Sequence, residues 1–153
     1  MRRNLGAAAP AELLARLEVL RKELNIPADF TSEALVEAQE AAAFPIDAPE
    51  RTDLHLVTID PPGSMDLDQA LALERTETGM RLYYAIAAVG RFVDPGSALD
   101  QEVTARAVTV YGPGHSFPLH PRSLSAGAAS LLPGQGRPAY LWTIDLDGEC
   151  QPR

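Results

Sequence analysis

Basic residues are scarce in this chain. Its 153 residues include 13 Lys and Arg against 21 Asp and Glu, for a net charge of −8. Surfaces that coat phosphate are built from Lys and Arg, so nucleic-acid binding by bulk charge is excluded. A local contact bridged by a metal ion is not. Cysteine is nearly absent. Cys150 alone permits no intrachain disulfide and fits a reducing, cytoplasmic compartment. No apolar run approaches the ~20 residues that span a bilayer, so no membrane partner is expected. The start, Met1-Arg2-Arg3-Asn4-Leu5, is basic but has only a short Ala-rich sequel, which reads as a frayed terminus and not a signal peptide. Several catalytic signatures are missing too. The glycines at 112, 114, 127, 134 and 136 match neither G-x-G-x-x-G nor a P-loop. His115 and His120 form no H-E-x-x-H, and His55 reads as a sheet residue. Ser125 and Ser130 have no G-x-S-x-G elbow.

What is present suits one domain with a small helical appendage. Residues 10–24 predict a helix: Pro10 suits a first turn, and Leu13, Leu17, Leu20 and Leu24 make one apolar stripe. A second helix starts after the N-cap candidate Thr31, with Phe30 and Leu35 placed as a hydrophobic staple, and runs to about Ala43. The two helices either form an antiparallel hairpin, or act as a lid or arm, or pack onto the domain C-terminal to them. The boundary falls in 45–53. Strands are predicted at 54–60, 70–74 and 80–89, the last two joined as a hairpin. Ser97 and Asp100 suggest a capping box for a helix over 99–107. Residues 112–137 are rich in Gly, Pro and Ser, and a segment that long without periodicity is more often functional than idle. A last strand spans 139–146, and Asp147-Gly148 reads as its turn.

The chemistry concentrates at 57–70, V-T-I-D-P-P-G-S-M-D-L-D-Q-A. A branched strand runs into Pro61-Pro62-Gly63, and three carboxylates surround that turn: Asp60, Asp66 and Asp68. In an extended chain the side chains of 66 and 68 share a face. Three like charges so close repel, and a divalent cation would remove the penalty. Hard oxygens select Mg²⁺, Mn²⁺ or Ca²⁺. A solvated acidic loop is the plain alternative. The three carboxylates are expected to face one cavity with Tyr111 on its rim. On spacing alone, the Tyr111 ring either stacks on a base or packs in the core.

The stretch I-D-P-P-G-S-M-D-L-D-Q-A (59–70) resembles the opening signature of the RNB domain of the ribonuclease II and ribonuclease R family. The resemblance continues in order through A-I-A-A-V-G-R-F-V (85–93), P-G-S-A-L-D-Q-E-V-T-A-R (95–106), A-V-T-V-Y (107–111), F-P-L-H-P-R-S-L-S (117–125) and A-S-L-L-P-G-Q-G-R-P-A (129–139). Joined to the N-terminal helical hairpin read at 1–45, it implies an α+β fold in which 54–153 is the opening part of an RNB-type mixed β-sheet with helices, a truncated RNB catalytic domain. It implies a Mg²⁺-dependent hydrolytic exoribonuclease, with Mn²⁺ as a substitute ion, that degrades single-stranded RNA from its 3′ end. Asp60, Asp66 and Asp68 match three of the family's four signature aspartates as metal ligands, and Asp68 is the most sensitive catalytic position. Gln69 stands where the fourth aspartate would be and is a further candidate ligand through its amide oxygen. Tyr111 matches the RNA-binding tyrosine that stacks on the terminal base. Ala88 stands where an aspartate is usual. The family's domain is much longer, and its later part supplies an arginine, a further acid and the channel walls. The contrasting expectation is a catalytically inactive RNA-binding or protein-interaction remnant. A Ca²⁺-binding structural module is a third, without EF-hand spacing to support it.

Overall fold

The structure, a computed structural model, describes residues 11–27, 29–112 and 115–153, and of His115 only the backbone. The readings of residues 1–5 and of Pro10 lie outside the described residues. In chain order the helices are α1 (Ala11–Glu23), α2 (Ser32–Ala43) and α3 (Ala98–Arg106), and the strands are β1 (Gln69–Thr76), β2 (Gly79–Ala87), β3 (Val110–Gly112), β4 (His115–Phe117) and β5 (Ala139–Leu146). A short 3₁₀ turn, Val89–Phe92, follows β2, and a π-helical turn, Leu124–Ala128, interrupts the long Gly- and Pro-rich stretch. β1, β2 and β5 form a sheet in that order, and β3 pairs with β4. All these pairings are antiparallel. No helix among the described residues is long and apolar enough to cross a membrane.

The leucine stripe of α1 makes a helix but not a core: none of its residues is buried. Ion pairs within the helix, Arg16–Glu12 and Arg21–Glu18, line its surface instead. Asn25 ends it in the left-handed region (φ 53), while the amides of Asn25 and Ile26 reach back to the carbonyls of Lys22 and Arg21. That is a Schellman stop with Asn in the usual glycine position. α2 packs onto the domain C-terminal to it. Its Ala34 and Ala38 are fully buried with Phe92, Leu99, Leu124 and Ala129.

α2 and α3 also cap each other. Glu37 of α2 accepts the N–H groups of Ala98 (3.2 Å) and Leu99 (2.7 Å), and Glu102 of α3 accepts the N–H of Thr31 (2.9 Å). The predicted capping box is half formed. Ser97 Oγ accepts from the Asp100 amide, but the Asp100 carboxylate reaches past Ser97 to the amide of Gly96 (2.8 Å).

Residues 54–60 do not form the strand expected of them. Only Val57 pairs, with Leu71 at the edge of β1. Pro61 and Pro62 have no N–H to extend a ladder, and Ile59 has left the sheet, 83% exposed. One sheet face buries Ala72 and Tyr83 with Leu54 and Leu141. The register puts Leu73, Ile86, Tyr140 and Trp142 on the other face, and all four are exposed.

Candidate functional site

The amide of Ser64 bonds the carbonyl of Pro61 (3.1 Å), and Gly63 sits at φ 89. This is the turn that Pro followed by Gly favours, because only glycine takes that φ without strain. The chain then runs extended through 65–68. Leu67 is buried, and Asp66 and Asp68 on either side of it are exposed. Four hydrogen bonds hold this segment. The Ser130 hydroxyl donates to the Met65 carbonyl (2.6 Å) and accepts from the Leu67 amide (2.9 Å). The Leu131 amide donates to the Leu67 carbonyl (2.7 Å), and the Ala87 amide to that of Asp68 (2.9 Å).

Asp66 and Asp68 line one cleft of about 1220 Å³, and Tyr111 lines it too. The Tyr111 ring is 75% exposed, so it is not part of the core. Asp60, beyond the 61–63 turn, lines a smaller neighbouring pocket of about 210 Å³ that it shares with Asp68, Gln69 and Tyr84. Asp68 thus borders both, whereas Asp60 and Asp66 do not share a pocket. Among the described residues, no three His, Cys, Asp or Glu side chains come together closely enough to hold an ion between them. The side-chain oxygen of Gln69 accepts a hydrogen bond from the Tyr84 hydroxyl. Ala88 is 2% exposed, packed where a carboxylate would have no water.

The donor chemistry nevertheless fits a hard cation. No carboxylate of Asp60, Asp66 or Asp68 takes a hydrogen bond or ion pair from another described residue. Magnesium is usually held by one or two carboxylates together with waters and substrate phosphates, not by an all-protein cage. Asp66 and Asp68 on one open cleft meet that requirement.

A further wall of the cleft comes from residues to which sequence reasoning gave no role at the site. Phe30, Leu35 and Gln39 line the cleft from the α2 side. Arg106 joins that side to the rest. Its guanidinium donates to the carbonyls of Asp29 (2.7 Å), Pro27 (3.3 Å) and Pro118 (3.4 Å) and lies 3.7 Å from the centre of the Phe30 ring. His120 also faces the cleft, and burial pushes its imidazole below the ordinary value of 6.5, so it is neutral at pH 7. The one signal for this wall was the staple pair Phe30 and Leu35. Arg106 and Ser130 had none, because their partners are far away in sequence.

A family model of the RNB domain matches residues 50–152. Exoribonuclease 2 of Actinobacillus pleuropneumoniae serotype 3 (strain JL03) is 36% identical over 107 residues, covering 67% of this chain and 16% of the relative. Ribonuclease R of Acidithiobacillus ferrooxidans is 34% identical over 139 residues, covering 86% of this chain and 31% of the relative. Mycoplasma genitalium RNase R superposes with a TM-score of 0.80 in complex with double-stranded RNA and 0.81 in complex with ribose-methylated single-stranded RNA, at 30% and 29% identity. Those superpositions cover 92% of this chain but 26% and 23% of the larger ones. The chain therefore spans between about a sixth and a third of the length of these relatives. With an extended acidic segment, an exposed tyrosine and a matching fold all in one order along the sequence, the chain belongs to the RNB domain family.

Proposed function

We propose that this chain supplies the acidic opening portion of a cytoplasmic, Mg²⁺-dependent 3′-to-5′ exoribonuclease that hydrolyses single-stranded RNA. The observation that carries this reading is the shared cleft, lined by Asp66, Asp68 and the exposed ring of Tyr111. Asp66 and Asp68, with Asp60 beside them, would hold the divalent ion. Bound there, it neutralises phosphoryl charge and draws the attacking nucleophile from water. The chain's own residues do the rest. Tyr111 stacks on the 3′-terminal base and so sets which phosphodiester reaches the carboxylates. His120, uncharged and half-buried, lines the cleft without competing for phosphate.

A second reading is a non-catalytic RNA-binding remnant. Gln69 and Ala88 favour it, since each stands where the family carries a carboxylate and each is committed elsewhere, Gln69 to Tyr84 and Ala88 to the interior. One experiment separates the two. Residues 50–152 replace the matching segment of a ribonuclease R, and nucleoside 5′-monophosphate release and RNA affinity are measured at fixed salt and Mg²⁺. The catalytic reading expects release, and expects Asp68→Asn to abolish turnover while leaving RNA affinity near the parent value. Binding without release selects the remnant. The 153-residue chain alone is expected to show little or no release, because the transition-state contacts of the longer domain are not in it.

A further inference from the structure

Ser130 is among the most enclosed polar residues of the molecule, 2% exposed. Its hydroxyl is used twice and in opposite senses: it donates to the Met65 carbonyl (2.6 Å) and accepts from the Leu67 amide (2.9 Å). These two backbone groups flank Asp66. The amide of Leu131 then meets the Leu67 carbonyl at 2.7 Å, and Arg137 Nε holds the Ser130 carbonyl at 3.1 Å. Residues 130 and 131 thus offer the acidic segment a donor, an acceptor and a second donor in succession, as a neighbouring strand would. A backbone pinned on both sides of one residue keeps its alternation. Leu67 goes inward, and Asp66 and Asp68 go outward together.

We propose that Ser130 is a positioning residue of the acidic site, whose buried hydroxyl fixes 65–68 in the extended form that turns Asp66 and Asp68 into one cleft. The consequence for ion binding rests on the function proposed above; the clasp itself does not. A hydroxyl is the small group that can donate and accept here at once. Alanine removes both bonds, and threonine keeps both.

The test uses the 153-residue chain as wild type, Ser130→Ala, Ser130→Thr and Ser125→Ala. Ser125 also lines the cleft, but among the described residues its hydroxyl bonds only the Pro121 carbonyl. Two quantities are read: hydrogen exchange at the Leu67 amide, referenced to the Val103 amide in α3, and Mn²⁺ affinity by calorimetry. Ser130→Ala is expected to speed Leu67 exchange selectively and to weaken Mn²⁺ by about 10- to 100-fold, the usual cost of losing a group that orients a ligand. Ser130→Thr and Ser125→Ala are expected to match wild type. Unchanged exchange in Ser130→Ala overturns the proposal, and so does faster exchange with unchanged Mn²⁺ affinity. If Ser130→Ala also loses protection at Val103, Ser130→Thr decides: wild-type behaviour supports the clasp, and failure like that of alanine overturns it. A wild-type chain that takes up no Mn²⁺ defeats the ligand assignment of Asp66 and Asp68, and the Leu67 exchange data alone then decide the clasp.

Discussion

The hydroxyl of Tyr84 donates to the side-chain oxygen of Gln69. Tyr84 pairs directly with Leu71, so it reaches Gln69 along the diagonal of the β1–β2 ladder. The oxygen that could serve a cation is therefore already in use. Gln69→Asp adds a negative charge next to Asp68 in the pocket they share. Ion affinity at oxygen sites rises with the count of charged ligands. Mn²⁺ binding is expected to tighten by about tenfold, or about 1.4 kcal/mol, in a calorimetric titration at fixed salt. An unchanged dissociation constant would remove position 69 from the ion's surroundings.

Tyr111→Ala tests the aromatic part of the cleft lining. The ring is exposed, so its loss leaves the melting temperature near that of wild type. Affinity for a single-stranded oligoribonucleotide is expected to fall by about 1–3 kcal/mol, the worth of one stacked base. Tyr111→Phe keeps the face and is expected to keep the affinity. Fluorescence anisotropy reads both, and equal losses in Ala and Phe would mean that the hydroxyl, not stacking, makes the contact.

Glu37 makes stability depend on pH. Hydrogen bonds from the Leu99 and Ala98 backbone and from Ser97 hold its carboxyl below the ordinary value of 4.5, against a smaller opposing effect of burial. A group whose folded pKa is depressed stabilises the fold above its unfolded pKa, and that contribution fades as pH falls through the folded value. Glu37→Gln removes it. The melting-temperature gap between wild type and Glu37→Gln is expected to be full at pH 7 and to narrow below about pH 4.5. A gap that stays constant into acid would show that the carboxylate's charge contributes nothing there.

Ala107 carries a conformation that suits glycine better. It sits at φ 60, ψ −37, closed by a 2.7 Å bond from the Val108 amide to the Arg106 carbonyl. That three-residue turn is the strained form. Ala107→Gly relieves the strain at some cost in chain entropy, and a net gain of about 1 kcal/mol is expected. For a chain of this size that is a rise of about 2–4 °C in melting temperature. A fall would mean that the entropy cost outweighs the strain.

Local signals in the sequence were reliable where local forces decide the outcome. Thr31 and Ser97 capped helices, and two aspartates at i and i+2 came to line one cleft. The failures share a cause. The branched run at 57–59 looked like a strand, but pairing depends on a partner, and the prolines after it offer none. The leucines of α1 had the right period, yet period says nothing about whether a neighbour is there to cover them. Ser130 was invisible as a support because its partners lie more than sixty positions upstream. Asp60 and Asp66 line different pockets, with the Pro61–Ser64 turn between them.

Trp142, the only tryptophan, stands on the uncovered face of the sheet, 59% exposed beside Tyr140. An indole in water emits at longer wavelength than one in an apolar contact. The molecule thus carries its own optical gauge on that face. A blue shift in its emission would report anything that comes to lie across β2 and β5, with no label attached.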